Sequence, residues 1–565
     1  MGAAPPGSQA LPLPTNLPFR IISKTIGQGA YASIRKACPP NAPKPVIAVK
    51  FISKEHAFKQ GRLTPKQLAM EITLHKYLGK HQNIIHCVGS GEDAVWTWIA
   101  MELAEGGDLF DKIEADEGVG EDVAHFYFTQ LIGAVSYMHS KGVAHRDIKP
   151  ENVLLSAEGD LKLADFGLAA LFHRNGQARL CNTVCGSPPY IAPEIISGRR
   201  SRRLDVLDAG YAANISDIWS CGVVLFVLLV GNTPWDEPTR CSDEFREYVD
   251  TGGRTTDELW RKLPADILSL LRGMLKLDPA TRFSLDEIRT HPWFTRRNPY
   301  LSPAGTSANP VGLATQMLSS LRIDFGAEVA AAQQASASAQ SPPGEADAMD
   351  LEPVPDTSRP HLLSSTQPET PLPDATFDWE RPPRLALYDG LSASQPVASV
   401  SHPHSHIAPV SQETLDRLSD DPCLSQFTPQ PGVPLSLTQA ARHFADIVPA
   451  HSLARFLSPL PLRLLLPLLA EALHRLGVPV PASAAASASA SGDGDAEDAE
   501  WQERWIRVKT VDGRKQGLNG HVVVERVGGE LVEVRFVKAS GDPLEWRRFF
   551  KKVVVLCRDV VLVPG

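Results

Sequence analysis

Hydrophobic and polar positions divide this chain into three stretches of different rhythm. From Phe19 to about Thr295, short apolar runs of strand length alternate with segments of helical spacing. Ile47 to Ile52 is a compact apolar run that predicts a strand, and Lys66 to Leu78 sets Leu68, Ile72 and Leu78 at helical intervals among polar residues. Glu121 to Ser140 predicts a long helix and Ile218 to Leu229 a buried one. Strands early and helices later predict an α+β region of two lobes. From about Arg296 to Leu437 the rhythm fades. Segments such as AAAQQASASAQSPPGEADAMD bury too little apolar surface to offset chain entropy, so disorder is expected there. Periodicity then resumes. Ala440 to Val448 reads as a strand, Ser452 to Leu476 holds a helix with a Leu face, and Trp505 to Val508, His521 to Val527 and Leu531 to Val537 read as strands between Gly-rich turns. Asp542 to Lys552 follows as a helix and Val553 to Val563 as a strand or two.

Composition sharpens these boundaries. The chain has 565 residues, enough for two or more cores, and most of its 47 Pro and the Ala/Ser tracts lie outside the first stretch. The expected organisation is a disordered tail at 1–17, a catalytic region at 18–295, a linker at 296–437 and a small α+β domain at 438–565 carrying a low-complexity insertion at 479–500. Net charge is −9, which gives no nucleic-acid footprint, so no direct nucleic-acid partner is expected. The average hides an asymmetry, because residues 501–565 hold 13 Lys/Arg against 8 Asp/Glu. The eight cysteines form no C-x-x-C pair, which favours free thiols in a reducing compartment. Val223 to Val230 is too short to span a bilayer, and the Leu-rich run from Leu457 is broken by proline and Arg463, so no transmembrane segment is expected.

The chemistry concentrates in one run. His145-Arg146-Asp147 is followed by Lys149 and Asn152, and then by Asp165-Phe166-Gly167. The set resembles the active site of a protein kinase. On that resemblance Asp147 accepts the proton of a substrate hydroxyl, Lys149 approaches the γ-phosphate, and Asn152 and Asp165 hold Mg2+. Upstream, Ile26-Gly27-Gln28-Gly29 through Ile34 resembles the loop that covers the ATP phosphates, with Ala32 in place of its third glycine. Ala48-Val49-Lys50 supplies the phosphate-binding lysine, and Glu71 its ion-pair partner. Met101, Glu102 and Ala104 resemble the hinge that receives adenine, and Asp108 stands where kinases contact ribose or a substrate arginine. Lys149 and Gly186 to Tyr190, ahead of Ala192-Pro193-Glu194, narrow the acceptor to serine or threonine, with Ser187 in reach of Asp147 and Lys149. Asp217 is expected to brace the catalytic loop and Arg282 to pair with Glu194. Arg146 belongs to kinases often switched on by a phosphate on the loop, for which Thr183 is the candidate.

Longer segments narrow the family. GGDLFDKIEADEGVGEDVAHFYFTQLIGAVSYMHSKGVAHRDIKPENVLL, CGSPPYIAPEI and GNTPWDEP are similar to the checkpoint kinase 1 family, effector kinases of the DNA-damage and replication checkpoint. Residues 301–440 contain 28 Ser/Thr and 10 Gln, for which random order gives about two Ser/Thr-Gln pairs, yet six occur, at Thr315, Thr366, Ser394, Ser411, Ser425 and Thr438. The excess matches sites for upstream phosphatidylinositol-3-kinase-like kinases, with Thr366, Ser394, Ser411 and Ser425 as candidate regulatory phosphosites. Ser540 to Phe550 resembles the last helix of a kinase-associated domain 1. The resemblance implies protein substrates, a monomer, and a nuclear location with a cytoplasmic pool. Asp108 and Glu151 are expected to select a basic residue three positions before the acceptor. Arg547, Arg548, Lys551 and Lys552 are open to three readings: an inhibitory contact with an acidic face of the kinase lobe, a contact with anionic lipid as in relatives of the AMP-activated superfamily, or a solvated helix face. The block Arg199 to Arg203 is either a nuclear-import signal or a polar loop. A catalytically silent scaffold remains the alternative of another class, set against the presence of Lys50, Asp147, Asn152 and Asp165.

Overall fold

A computed structural model of the chain describes residues 12–28, 32–59, 63–197, 206–323, 421–428, 435–480, 503–512, 516–527 and 531–563, with a few single positions between 325 and 433. Five antiparallel strands open the fold: β1 (Arg20–Gln28), β2 (Ala32–Cys38), β3 (Ile47–Ser53), β4 (Cys87–Glu92) and β5 (Trp96–Glu102), in the order β1-β2-β3-β5-β4. Alternation along β3 buries Val49 fully on one face, while the adjacent Lys50 points to the other. The helix Pro65–Leu78 crosses this sheet. Thr64 and Gln67 close a reciprocal cap at its start and Pro65 occupies the first turn, where its missing N–H costs nothing.

The second lobe is helical, built around Glu121–Ser140 and Ala213–Val230. The latter is long and apolar enough to cross a bilayer, but 83% of it is buried inside this lobe, where it is the central core helix. The hairpin Val153–Leu155/Leu161–Leu163 is pinned to the first lobe by backbone bonds between Asn83, Ile85 and Leu163. That hairpin sets the catalytic loop beneath the sheet.

Ordered structure runs past the boundary expected at 295. Leu301 and Ser307 form a bridge, and the helix Pro310–Ser320, capped by Asn309, buries Leu313, Ala314, Met317 and Leu318 in the core of the second lobe. The i, i+4 repeat of Leu313, Met317 and Leu321 explains this, and Tyr127 adds a hydroxyl bond to Met317 sulfur at 3.1 Å. The far end of the linker is also structured, since Leu424–Phe427 forms a 3-10 turn with Cys423, Leu424 and Phe427 buried.

The last domain is a four-stranded antiparallel sheet in the order Arg455–Ser458, Leu531–Ser540, Gly517–Val527, Glu503–Val511, with the helices Leu462–Arg475 and Pro543–Leu556 packed in one core. Two expectations are corrected. Ala440 to Val448 is not a strand: Phe444–Ile447 is a short helix whose start is closed by Asp446 and His443, and Phe444 and Ile447 bury one turn apart against the second lobe. Val553 to Val563 is not a strand either. The helix continues to Leu556 because Val553, Val554, Leu556 and Cys557 all enter the core, and a 3-10 turn follows at Arg558–Val560. Packing there overrides the strand preference of a valine run.

Candidate active site

The residues singled out around the cleft converge. Lys50 Nζ lies 2.8 Å from Glu71 Oε1 and 3.1 Å from Asp165 Oδ1, so one ammonium ties β3, the helix Pro65–Leu78 and the Asp165-Phe166-Gly167 turn together. Burial disfavours the Lys50 charge, but the Asp165 and Glu71 carboxylates outweigh it and hold the lysine above its ordinary pKa. In return Lys50 pulls the Asp165 carboxyl down to about 2. Sequence reading missed the apolar counterpart of this arrangement. His75, one turn beyond Glu71, packs its ring at a tilt against Phe166 at 4.7 Å, and Phe166 meets His145 at 5.4 Å, which joins the helix to the catalytic loop through buried rings. The i, i+4 spacing from Glu71 was the available signal for His75.

The catalytic loop is held from below. Asp217 accepts from the backbone N–H groups of His145 at 2.9 Å and Arg146 at 2.8 Å, which supports the left-handed backbone of Arg146 at φ 67°. Above it, Lys149 Nζ donates to Ser187 Oγ at 2.5 Å and stands 3.0 Å from Asp147 Oδ2, while Ser187 Oγ donates to Asp147 Oδ1 at 2.9 Å. Asn152 Nδ2 donates to the Asp147 carbonyl at 2.8 Å and to its carboxylate at 3.1 Å. With its nitrogen so committed, the Asn152 side-chain oxygen and the Asp165 carboxylate are hard oxygen donors, a set that suits magnesium. Farther down, Arg282 forks onto both oxygens of Glu194 at 2.8 and 3.0 Å.

The positions expected to face nucleotide lie on and between the paired strands of the first lobe. Ala48 pairs with Met101 and Ile47 with Glu102 across β3 and β5, and Ile34 pairs with both Gly27 and Lys50. Ile26 is exposed on β1. The Glu102 side chain turns away to Lys162 at 2.6 Å, and Ala104 follows where β5 ends. Gly29 lies outside the described residues, as do Thr366, Ser394 and the Arg199 to Arg203 block. Of the remaining phosphosite candidates, Ser411 is exposed and Ser425 is buried, its hydroxyl donating to the Pro422 carbonyl at 2.7 Å.

Asp108 and Glu151 lie where the last domain meets the kinase lobe. Burial, with Asp111 beside it, pushes Asp108 well above the usual carboxylate range, and burial also raises Glu151, whose Oε2 is enclosed without a hydrogen bond. Lys538 and Asp542 of the last domain act on Glu151, and the Ala450 backbone passes so close to Gly107 that a Cβ there would lie 2.4 Å from the Ala450 oxygen. Lys112, fully buried, donates to the carbonyls of Pro449 at 2.8 Å and His451 at 3.2 Å. Arg547, Lys551 and Arg548 reach acids of the second lobe. Arg547 meets Glu114 at 3.0 Å, Lys551 meets the other Glu114 oxygen at 3.3 Å, and Arg548 forks onto Asp116 at 2.6 and 2.8 Å. Gln426 completes the joint, accepting from Arg547 at 3.0 Å and donating to the carbonyls of Cys423 and Leu453, each at 3.0 Å. Sequence reading passed over Glu114, Asp116 and Gln426, since nothing local distinguishes them from ordinary polar surface.

Residues 21–294 match the family described as "Protein kinase domain". A plant relative, CBL-interacting serine/threonine-protein kinase 9 of Arabidopsis thaliana, is 35% identical but covers only 49% of this chain and 57% of its own length. Serine/threonine-protein kinase chk1 of Schizosaccharomyces pombe is 37% identical over 95% of this chain and 96% of its own, so the likeness extends through the linker and the last domain. The chain belongs to the Chk1 family. Serine/threonine-protein kinase CHK1 of Saccharomyces cerevisiae agrees, at 33% identity over 99% of both chains. This Chk1-family member is a serine/threonine protein kinase and checkpoint effector that uses ATP and acts on protein substrates.

Proposed function

We propose that this kinase acts in the DNA-damage and replication checkpoint, that Asp147 is its catalytic base, and that the last domain represses it by covering the face that recognises substrate. The Asp147 carboxylate takes the proton of a serine or threonine hydroxyl as that oxygen attacks the γ-phosphorus of ATP. Ser187 fixes one carboxylate oxygen, and Lys149 supplies positive charge beside the transferred group. Lys50, held charged by Asp165 and Glu71, orients the α- and β-phosphates. Asn152 and Asp165 would hold magnesium, which when bound neutralises charge on the phosphates.

The observation that carries the regulatory half is the placement of the terminal helix. A formed Lys50, Glu71 and Asp165 cluster coexists with Arg547 and Lys551 on Glu114, and with Ala450 and Lys538 beside Gly107 and Glu151. Asp108 and Glu151 form the acidic pair that would accept a basic residue of the substrate, so covering them blocks peptide entry while leaving the nucleotide cleft formed. Phosphorylation at Ser/Thr-Gln sites by upstream phosphatidylinositol-3-kinase-like kinases then releases the domain. A monomer acting in the nucleus, with a cytoplasmic pool, fits this scheme. The test is phosphotransfer by the full chain carrying Arg547→Ala and Arg548→Ala together. Activity above that of the unaltered chain supports repression, whereas equal activity in the two chains counts against it.

A further inference from the structure

Arg146 has neutral partners where a loop phosphate is expected. Its Nε donates to the Leu168 carbonyl at 2.6 Å and its Nη1 to the Tyr211 hydroxyl at 3.4 Å, and the Cys181 and Cys185 thiols are its other close titratable neighbours. The Tyr211 hydroxyl in turn donates to the Thr183 carbonyl at 3.1 Å and lies 3.7 Å from Cys185 Sγ. Tyr211 is 4% exposed, so these bonds form out of water.

The segment that delivers Tyr211 lies in the connection between the helix Pro193–Ser197 and Asp217. Its strand Val206–Tyr211 pairs antiparallel with Cys181–Thr183 of the activation segment, Cys181 opposite Tyr211 and Thr183 opposite Val206. Close approach is built in at Gly210, which has φ +68°, and a Cβ there would lie 2.6 Å from Asn182 Oδ1 and 2.9 Å from Leu180 Cβ. The Thr183 side chain is exposed, and it is the backbone of this residue that is engaged.

We infer that Tyr211 is a positioning residue that takes the place of a loop phosphate, clamping Cys181 to Ser187 against Arg146 so that Ser187 reaches Asp147 without covalent modification of Thr183. The clamp acts through chain geometry and is independent of whether the last domain represses the enzyme. It also gives this connection a task in catalysis.

The test uses the full chain as the unaltered protein and as the variants Tyr211→Phe and Thr183→Ala. Tyr211→Phe keeps the ring and loses the hydroxyl's bonds to Arg146, Thr183 and Cys185. It is expected to lower kcat up to about tenfold with the KM for ATP unchanged, and to speed amide hydrogen exchange across residues 181–187. Thr183→Ala is expected to leave kcat unchanged. Wild-type kcat in Tyr211→Phe overturns the inference, and so does a fall in kcat without faster exchange. A loss of activity in Thr183→Ala matching that of Tyr211→Phe assigns the role to a phosphate and overturns it as well.

Discussion

The catalytic cleft and the docking joint are both held by cations on buried carboxylates, yet they are assembled differently. Lys50 and Glu71 are 21 positions apart and Asp147, Lys149 and Asn152 fall within six residues, whereas Arg547 and Glu114 are 433 positions apart. In the cleft, the spacing of the charges along the chain is itself part of the geometry. At the joint the two partners come together only because both domains have folded, and each alone is an ordinary charged residue. A catalytic site can therefore be read in short segments, while a contact between domains leaves almost no local trace.

The comparison is broken first at the cleft. Asp147→Asn removes the proposed proton acceptor but keeps the shape of its bonds to Ser187 and Asn152, so kcat is expected to fall by about 10³-fold or more with folding intact; phosphopeptide formation checks this, and wild-type turnover would place the base elsewhere. At the joint, Arg547→Ala strips its closest cation from Glu114, which has no exposed side-chain area. Breaking a buried pair costs about 3 kcal/mol or more, so docking should weaken roughly a hundredfold, visible as faster amide exchange in Phe444–Ile447 and Pro543–Leu556. Charge at Lys551 is left behind, so the double variant with Lys551→Ala is expected to weaken docking further.

A third effect links the two regions. Ser411 is exposed, while Ser425 is buried beside Gln426, the residue that bonds Arg547. A Ser/Thr-Gln-directed kinase should modify Ser411 faster than Ser425 by about tenfold or more, since Ser425 is reached only from the opened fraction. Arg547→Ala should narrow that gap, and site-resolved mass spectrometry measures both rates. The smallest effect is at the rim. Asp116 is 54% exposed, so Arg548→Ala is expected to weaken docking by no more than about 1 kcal/mol, an effect that salt should diminish.

How far the sequence could be read follows the same division. The helix Glu121–Ser140 and the gathering of Lys50, Asp147 and Asp165 around one cleft were legible, because periodicity and motif spacing are local. The helix Pro310–Ser320 carried a readable repeat of Leu313, Met317 and Leu321 but sat among Pro, Ser and Ala segments whose composition suggested disorder. Val553 and Val554 have strand propensity and were drawn into a helix by the core they complete. Phe444 and Ile447 were misread as strand residues because their partner surface, near Ala157 and Gly159, lies almost 300 positions earlier. Tyr211 could be placed in a long connection but not against Arg146, since the pairing of Val206–Tyr211 with Cys181–Thr183 has no sequence signature.

The central claim is that the docked domain withholds peptide and not nucleotide. Initial rates measured over a matrix of ATP and a basic serine peptide, for the full chain and for Arg547→Ala, separate the two. The expected result is a higher kcat/KM for peptide in the variant with the KM for ATP unchanged. Identical peptide kinetics in both chains, or a change confined to the KM for ATP, would contradict it.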